Sequence, residues 1–217
     1  MAQFAVIGLG SFGATAAREL MRLGHDVIGI DKEAKFVDGI AADITYAAIA
    51  DATDEHVLRE LNVENCDAVI VAIGENIEAS ILCVVHLKTL GIAKVWVKAK
   101  SSSHHKILSH LGVDKIIHPE EEMGIRIAQA LNYPMISRYM VLGDSHFIVA
   151  VDAAARLEGV CLCKMLEGYN GIRIVLLKRK DKVFYDINPT FLLQEHDQIV
   201  LEGCLTDLNR LASKFSS

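Results

Sequence analysis

The run Gly8-Leu9-Gly10-Ser11-Phe12-Gly13 constrains this chain more than any other stretch. It leaves an apolar segment, Phe4–Gly8, and enters an amphipathic one, Ser11–Leu23, whose Ala14, Ala17, Leu20 and Met21 share one helical face. Between a strand and a helix, three glycines at this spacing each have a task. Gly8 permits the tight turn, Gly10 lets the backbone approach a pyrophosphate, and Gly13 lets the helix pack close to the strand. The helix start presents N–H groups and a partial positive charge to phosphate. Asp31 ends the second apolar run, 18 positions after Gly13, close to the ~20 expected of a ribose-binding acid. Its carboxylate accepts from both ribose hydroxyls and repels a 2′-phosphate, which disfavours NADP. A tight turn with no ligand is the bland alternative, but strand, loop, helix, second strand and acid agree on a nucleotide.

The pattern continues beyond that loop. Strands are expected at Asp26–Asp31, Thr45–Ile49, Ala68–Ala72, Lys94–Lys98 and Lys115–His118, with helices at Glu33–Ile40, Asp54–Leu61, Ile77–Leu90 and Ser103–Leu111 between them. Strands that are apolar throughout, separated by helices, give a parallel sheet covered on both faces. With right-handed crossovers this is an α/β fold with a doubly wound, Rossmann-type sheet. Pro119 opens a further helix reaching about Asn132, and Pro134 ends it. Thereafter strands crowd together at Ile136–Leu142, His146–Val151, Ile172–Lys178, Lys182–Asp186 and Gln198–Glu202, with only short helices between. The expected organisation is therefore a nucleotide-binding lobe (1–118), a linking helix (119–134) and a small C-terminal α+β domain (135–217).

Composition narrows the function. At 217 residues, 52% of them hydrophobic, the chain buries a sizeable core and is not disordered. No apolar run is long enough to span a bilayer, and the N-terminus lacks a secretory pattern. A formal charge of −6 argues against a nucleic-acid partner and a polybasic membrane attachment. The five cysteines (66, 83, 161, 163 and 204) read as reduced thiols rather than a disulfide set, and Cys161 and Cys163 lack the spacing and second pair of a zinc site.

Further candidate contacts follow later strands, where ligands of such sheets sit. Asp51-Ala52-Thr53 follows the third strand, Ala72-Ile73-Gly74 the fourth, and Lys98 ends the fifth. Their structural alternatives are a helix N-cap, a turn and a solvated strand end. His104-His105 follows Ser101–Ser103, as a capped helix start rather than a metal or acid–base pair. A hydride-transfer enzyme needs a substrate pocket and a proton donor, and the sequence offers no such constellation.

Several separated motifs carry a family resemblance: Phe4–Gly13 (FAVIGLGSFG), Val71–Gly74 (VAIG), Trp96–Ala99 (WVKA), His104–Leu108 (HHKIL) and Ile117–Glu120 (IHPE), followed by Met123-Gly124. Over residues 1 to about 132 the chain resembles the KtrA-like family. These are cytosolic RCK-domain regulators of Ktr potassium transporters, related to TrkA subunits. The resemblance implies a regulator, not an enzyme: a homodimer that assembles into an octameric ring at the inner face of the membrane, against a KtrB-like potassium-translocating subunit. ATP would favour the active ring and ADP the inactive one. Carried over by position, Gly8, Leu9, Gly10, Ser11, Phe12, Gly13, Asp31, Lys32, Asp51, Ala52, Thr53, Ala72, Ile73, Gly74 and Lys98 would hold the nucleotide. Glu120 would lie at the terminal phosphate, holding a divalent cation or Na+ with its dimer mate. The helix after Pro119 fits the crossover helix that such dimers exchange, with Ile125, Ile127, Ala128 and Leu131 as its apolar face. Two departures bear on ligand choice. The family often has Arg where this chain has Ser11, and Ser supplies no charge to a γ-phosphate. Some relatives bind cyclic di-AMP in a C-terminal cleft that uses an Arg, where this chain has Glu167. An NAD-dependent oxidoreductase or an NAD(H)-sensing module is the alternative reading.

Overall fold

A computed structural model describes residues 1–132, 136–143 and 146–216. The expected stop at Pro134 lies outside the described residues, as do the last two positions of the expected 119–134 helix. Two units emerge, Met1–Glu122 and Met123–Ser217.

The first unit holds six parallel strands: β1 (Gln3–Ile7), β2 (Asp26–Asp31), β3 (Tyr46–Ile49), β4 (Ala68–Val71), β5 (Val95–Lys98) and β6 (Lys115–Ile117). Their order is β3-β2-β1-β4-β5-β6. The strands are added outward in one direction from β1 to β3 and in the other from β4 to β6, and between β1 and β4 such sheets open a crevice. Helices α1 (Ser11–Arg22), α2 (Ala34–Asp38), α3 (Glu55–Glu60), α4 (Ile77–Thr89) and α5 (Ser102–His110) make the crossovers. Because successive strand residues face opposite ways, both faces need apolar side chains. Val6 and Val27 turn toward Leu9, Ala17, Val37, Ile40 and Ile44. Ala5, Ile7, Ile28 and Ile30 turn the other way, into a core completed by Val69, Val71, Val95, Val97, Leu58, Val84, Leu87 and Leu108. Each large aliphatic side chain removed from water there contributes roughly 1.5–3 kcal/mol.

Helix caps follow the local chemistry. Asp54, Asn76 and Ser101 accept side-chain hydrogen bonds from the backbone N–H groups of His56, Ala79 and His104, starting α3, α4 and α5. The start expected at the Ser101–Ser103 cluster is thus a true cap. Helix α1 differs: its cap residue is Gly10, which has no side chain to offer.

Helix α6 runs Pro119–Asn132, and the division between units falls inside it. The second unit is an antiparallel sheet of β7 (Ile136–Gly143), β8 (His146–Asp152), β9 (Arg173–Arg179), β10 (Lys182–Phe184) and β11 (Gln198–Cys204), ordered β10-β9-β11-β8-β7. Helix α7 (Leu162–Met165) and a twelve-residue α8 (Leu205–Ser216) complete it. Its core gathers Val149, Val151, Leu162, Met165, Leu177, Ile199, Leu201, Leu208 and Leu211. Asp197 is fully buried yet satisfied, accepting from Arg179 Nε at 2.8 Å, Arg179 Nη2 at 2.7 Å and the Gln194 N–H at 2.8 Å.

The expectation of five reduced thiols needs correction. Cys161 and Cys163 form a disulfide. Cys161 pairs in an isolated bridge with Leu192 and its chain then turns into α7, which brings the two Cα atoms to 5.4 Å, within disulfide range. Cys66, Cys83 and Cys204 are free. Burial pushes the Cys66 thiol up to about 11 and the Cys83 thiol up to about 12, so both stay protonated and act as packing groups.

Candidate functional site

In the glycine loop, packing and backbone conformation demand two of the three glycines. Gly8 has φ +94°, a left-handed conformation, and a Cβ on it would lie 2.9 Å from the Ala72 carbonyl carbon. A Cβ on Gly13 would lie 1.9 Å from the Gly8 carbonyl oxygen, so α1 packs against the loop with no room for a methyl. Gly10 is the opposite case: a Cβ there would meet nothing within 4 Å. Its missing side chain is not demanded by protein packing. The space lies at the start of α1, whose first turn carries no acidic residue. The positive end of the helix dipole therefore faces an open, acid-free position, which suits an anion.

Asp31 is tied to this loop. Its Oδ2 accepts from the Leu9 N–H at 2.7 Å and its Oδ1 from the Glu33 N–H at 2.9 Å. Each oxygen keeps a lone pair for a further donor, so the carboxylate is fixed in place and still able to receive ribose hydroxyls. The Glu33 amide was invisible to sequence reasoning, because it acts through the backbone.

On the other side of β1, Ala72 backs both Gly8 and Gly13. Ile73 and Gly74 carry the chain on, and a Cβ on Gly74 would sit 3.4 Å from Lys98 Nζ. Lys98 is no solvated strand end: its side chain is 15% exposed, and its ammonium pairs with the Glu120 carboxylate. That contact holds the Glu120 carboxyl below the usual range, with the Lys98 hydrogen bond as the main cause. Glu120 itself stays largely exposed.

Asp51 and Thr53 form a separate group at the end of β3. Asp51 Oδ1 accepts from the Thr53 N–H at 2.9 Å and its hydroxyl at 2.7 Å, and these bonds, helped by nearby Lys32, lower the Asp51 carboxyl. The cap of α3 is Asp54, so Asp51 is not the N-cap its position allowed. Ala52 is buried, and Ser11 and Lys32 are exposed.

The loop, Asp31, Ala72–Gly74, Lys98 and Glu120 thus form a neighbour-to-neighbour line across the carboxyl ends of β2, β1, β4 and β5, with Asp51–Thr53 beyond β2. Among the described residues no group of three or more His, Cys, Asp or Glu side chains gathers to hold a metal ion. One chain therefore offers Glu120 as a single carboxylate, not as a cation site. Beside it lies a pocket of about 410 Å³, lined in part by Lys100, Ser101, His105, Lys106, His118 and Glu121.

Comparison with known proteins adds a family. Residues 4–119 match the TrkA-N domain. The chain is 38% identical over 213 residues, 98% of its length and 96% of the relative's, to the "Ktr system potassium uptake protein A" of Bacillus subtilis. It is 32% identical to the protein of the same name from Vibrio alginolyticus, covering 99% of this chain and 97% of that one. Among solved structures, the GsuK RCK domain superposes with a TM-score of 0.57 at 18% identity, covering 98% of this chain and 47% of that one. The GsuK channel bound to NAD superposes at 0.58 and 17% identity, over 99% and 39%. At such identities these two show a shared fold.

Proposed function

Because the chain belongs to the TrkA-N family and, over nearly its whole length, to the Ktr-system potassium uptake proteins, we propose that it is the nucleotide-sensing regulatory subunit of a membrane potassium transporter. The single observation that carries this reading is the open space at Gly10, at an acid-free helix start between a pinned Asp31 and a sheltered Lys98. An adenine nucleotide fits that line. Its ribose meets Asp31, with Asp51–Thr53 and Lys32 at the base end. Its phosphates meet the α1 N-terminus and the loop amides, and Lys98 waits at the far end beside Ala72–Gly74.

The resting contact between Lys98 and Glu120 gives a route from ligand to shape. A third phosphate reaching Lys98 competes for its ammonium and frees Glu120. Two freed carboxylates, one from each protomer of a homodimer, together with phosphate oxygens, supply the hard oxygen ligands a divalent cation or Na+ requires. ADP lacks the group that triggers the exchange. A ligand shifts an equilibrium only by its differential affinity for the two states, and the γ-phosphate is that difference. In this reading ATP activates and ADP inactivates. The α6 helix exchanges between protomers, dimers build an octameric ring, and the ring works from the cytoplasmic face on a KtrB-like subunit. The protein turns nothing over.

The test is a thermal-shift series with ATP, ADP, NAD and NADH, each with and without Mg2+. A ligand bound only by the native state stabilises it by RT ln(1 + [L]/Kd). ATP is expected to give a larger shift with the cation than without, ADP a shift indifferent to it, and Glu120→Gln an ATP response that no longer depends on the cation. A second reading, an NAD(H)-sensing module, draws on Asp31, whose carboxylate serves the adenosine ribose of either ligand. A shift with NADH and none with ATP or ADP would replace the first reading with the second.

A further inference from the structure

The side chains of His105, on α5, and His118, directly after β6, are 13 residues apart in sequence and meet with Nδ1 of His105 2.8 Å from Nε2 of His118. The ring centres are 5.1 Å apart and the planes tilt by only 20°. With nitrogens so much closer than centres, the rings meet edge to edge, lone pair against N–H. Both line the 410 Å³ pocket, and Glu120 and Glu121 line it too. Behind His118, its Nδ1 lies 3.9 Å from the Glu121 carboxylate. The ring nitrogens of these two residues bind no other described side chain so closely. The adjacent His104 is not a member of the pair: it is buried, and its Nδ1 accepts from the Lys100 N–H.

We propose that His105 and His118 form a half-site for a borderline transition-metal dication of the Zn2+, Co2+ or Ni2+ class, separate from the hard cation assigned to Glu120. Imidazole nitrogens bind such ions at about 2.0–2.1 Å, so two of them on one ion stand about 2.9–3.4 Å apart. The pair is within a few tenths of an ångström of that spacing, and exposed His105 is free to move. A carboxylate behind a ligating histidine is the arrangement that fixes the tautomer in metal sites. At 3.9 Å the Glu121 carboxylate makes no hydrogen bond to His118, but it lies on the side from which such a partner acts once the ring turns to a metal. In the resting pair one ring donates its N–H to the other. On binding, that proton moves to the far nitrogen of the same ring, two nitrogen–metal bonds form in place of the N–H···N bond, and no proton is lost overall. The pocket admits water to the remaining positions. The charges lining it balance, Lys100 and Lys106 against Glu120 and Glu121, and Lys100 is already paired with Glu75 at 3.0 Å. Imidazole and water suit d-block dications better than Ca2+ or Mg2+. A bound ion would lock the first turn of α5 to the residue that opens onto α6.

The test is calorimetric titration of the full-length protein with ZnCl2 and with NiCl2 in chelator-treated buffer, without nucleotide. One ion per chain is expected. His105→Gln and His118→Gln should each weaken binding at least tenfold, and His110→Gln should leave it within twofold. Should a His118 variant unfold, Ni2+ broadening of the His105 and His118 imidazole resonances in the unsubstituted protein gives the answer directly. Absence of saturable uptake, uptake unchanged in both histidine variants, or uptake abolished only by Cys161→Ser and Cys163→Ser would each overturn the proposal. None of these outcomes bears on ATP or ADP binding.

Discussion

Gly10 and Gly13 look alike in the sequence and differ in what holds them. A methyl at Gly13 strikes the Gly8 carbonyl, which is backbone and cannot swing away. Gly13→Ala is expected to destabilise the protein by roughly 1–3 kcal/mol, the range for overpacking a tight contact, and to lose nucleotide binding with the distorted loop. A methyl at Gly10 meets open space, and the residue has φ −63° and ψ −173°, which alanine adopts without strain. Gly10→Ala should therefore melt within about 0.5 kcal/mol of the parent while its affinity for ATP and ADP falls at least tenfold. Calorimetric melts and titrations on both variants separate the two roles, and a Gly10→Ala protein that binds normally would remove the loop from the site. The pH response is argued at the same scale. Asp51, through Thr53, and Glu120, through Lys98, are both held below their ordinary values. Stability from such carboxylates is fully present above the unfolded value, about 4 for these types, and is lost as pH falls through the lower folded value. Melts between pH 3 and 6 should fall off less steeply for Asp51→Asn and Glu120→Gln than for the parent; parallel curves would show that these contacts do not outlast solvent screening. The glycine tasks were legible because each follows from one position in a strand–turn–helix. The Asp31 clamp by the Leu9 and Glu33 amides was not, since any residue carries an N–H and nothing in the side chains announces which ones converge.

At the scale of elements, the six parallel strands could be read from their uniform apolarity, which burial on both faces enforces. The ends moved by a residue or two, where capping decides. The position of Lys98 at the end of β5 is that of a solvated strand end, but the return of the chain at Glu120 shelters it. The second unit was harder to read. Alternation marks its strands, but α8 went unread because no glycine separates it from β11 and the chain passes straight from Cys204 to Leu205. Nor does local sequence reveal that β9 and the turn before β11 are stapled by Arg179 and Asp197. Asp197 has no exposure, so losing its partner leaves a buried charge. Arg179→Ala is expected to cost about 3 kcal/mol in a denaturant melt, as breakage of a buried pair does. A cost below 1 kcal/mol would show that water reaches the carboxylate. Helix α6 makes a separate demand. Met123, Ile125, Ile127 and Leu131 are each half or more exposed, which is unusual for four apolar residues on one short helix. The proposed exchange between protomers covers them. Ile125→Glu with Ile127→Glu should convert dimers to monomers in light scattering, while the first unit keeps its nucleotide response; a dimer that survives both changes would place the interface elsewhere.

At the scale of the whole molecule, the proposed signal has to travel from one phosphate to the spacing of protomers. The structure of a single chain sets what can carry it. Glu120, Glu121 and Glu122 all fall in the first turn of α6, so the group that answers the nucleotide and the helix proposed to join protomers are one continuous element. Three carboxylates there favour the helix dipole but repel a second copy of themselves across a two-fold axis. A cation that Glu120 shares with its mate removes part of that repulsion, and only a nucleotide reaching Lys98 releases Glu120 to do so. The expected outcome is that ATP with Mg2+ narrows the distribution of assemblies to one large species, with a radius of gyration in X-ray scattering distinct from that of the ADP form. The difference should shrink on going from 0.1 M to 1 M salt, as the screening length falls from about 10 Å to about 3 Å. Lys98→Met should leave Glu120 free in every state, so its scattering profile should no longer distinguish ATP from ADP. If the Lys98→Met protein still changes shape between the two nucleotides, the exchange of Lys98 between Glu120 and phosphate is not the trigger, and the coupling must run through the glycine loop and α1 instead.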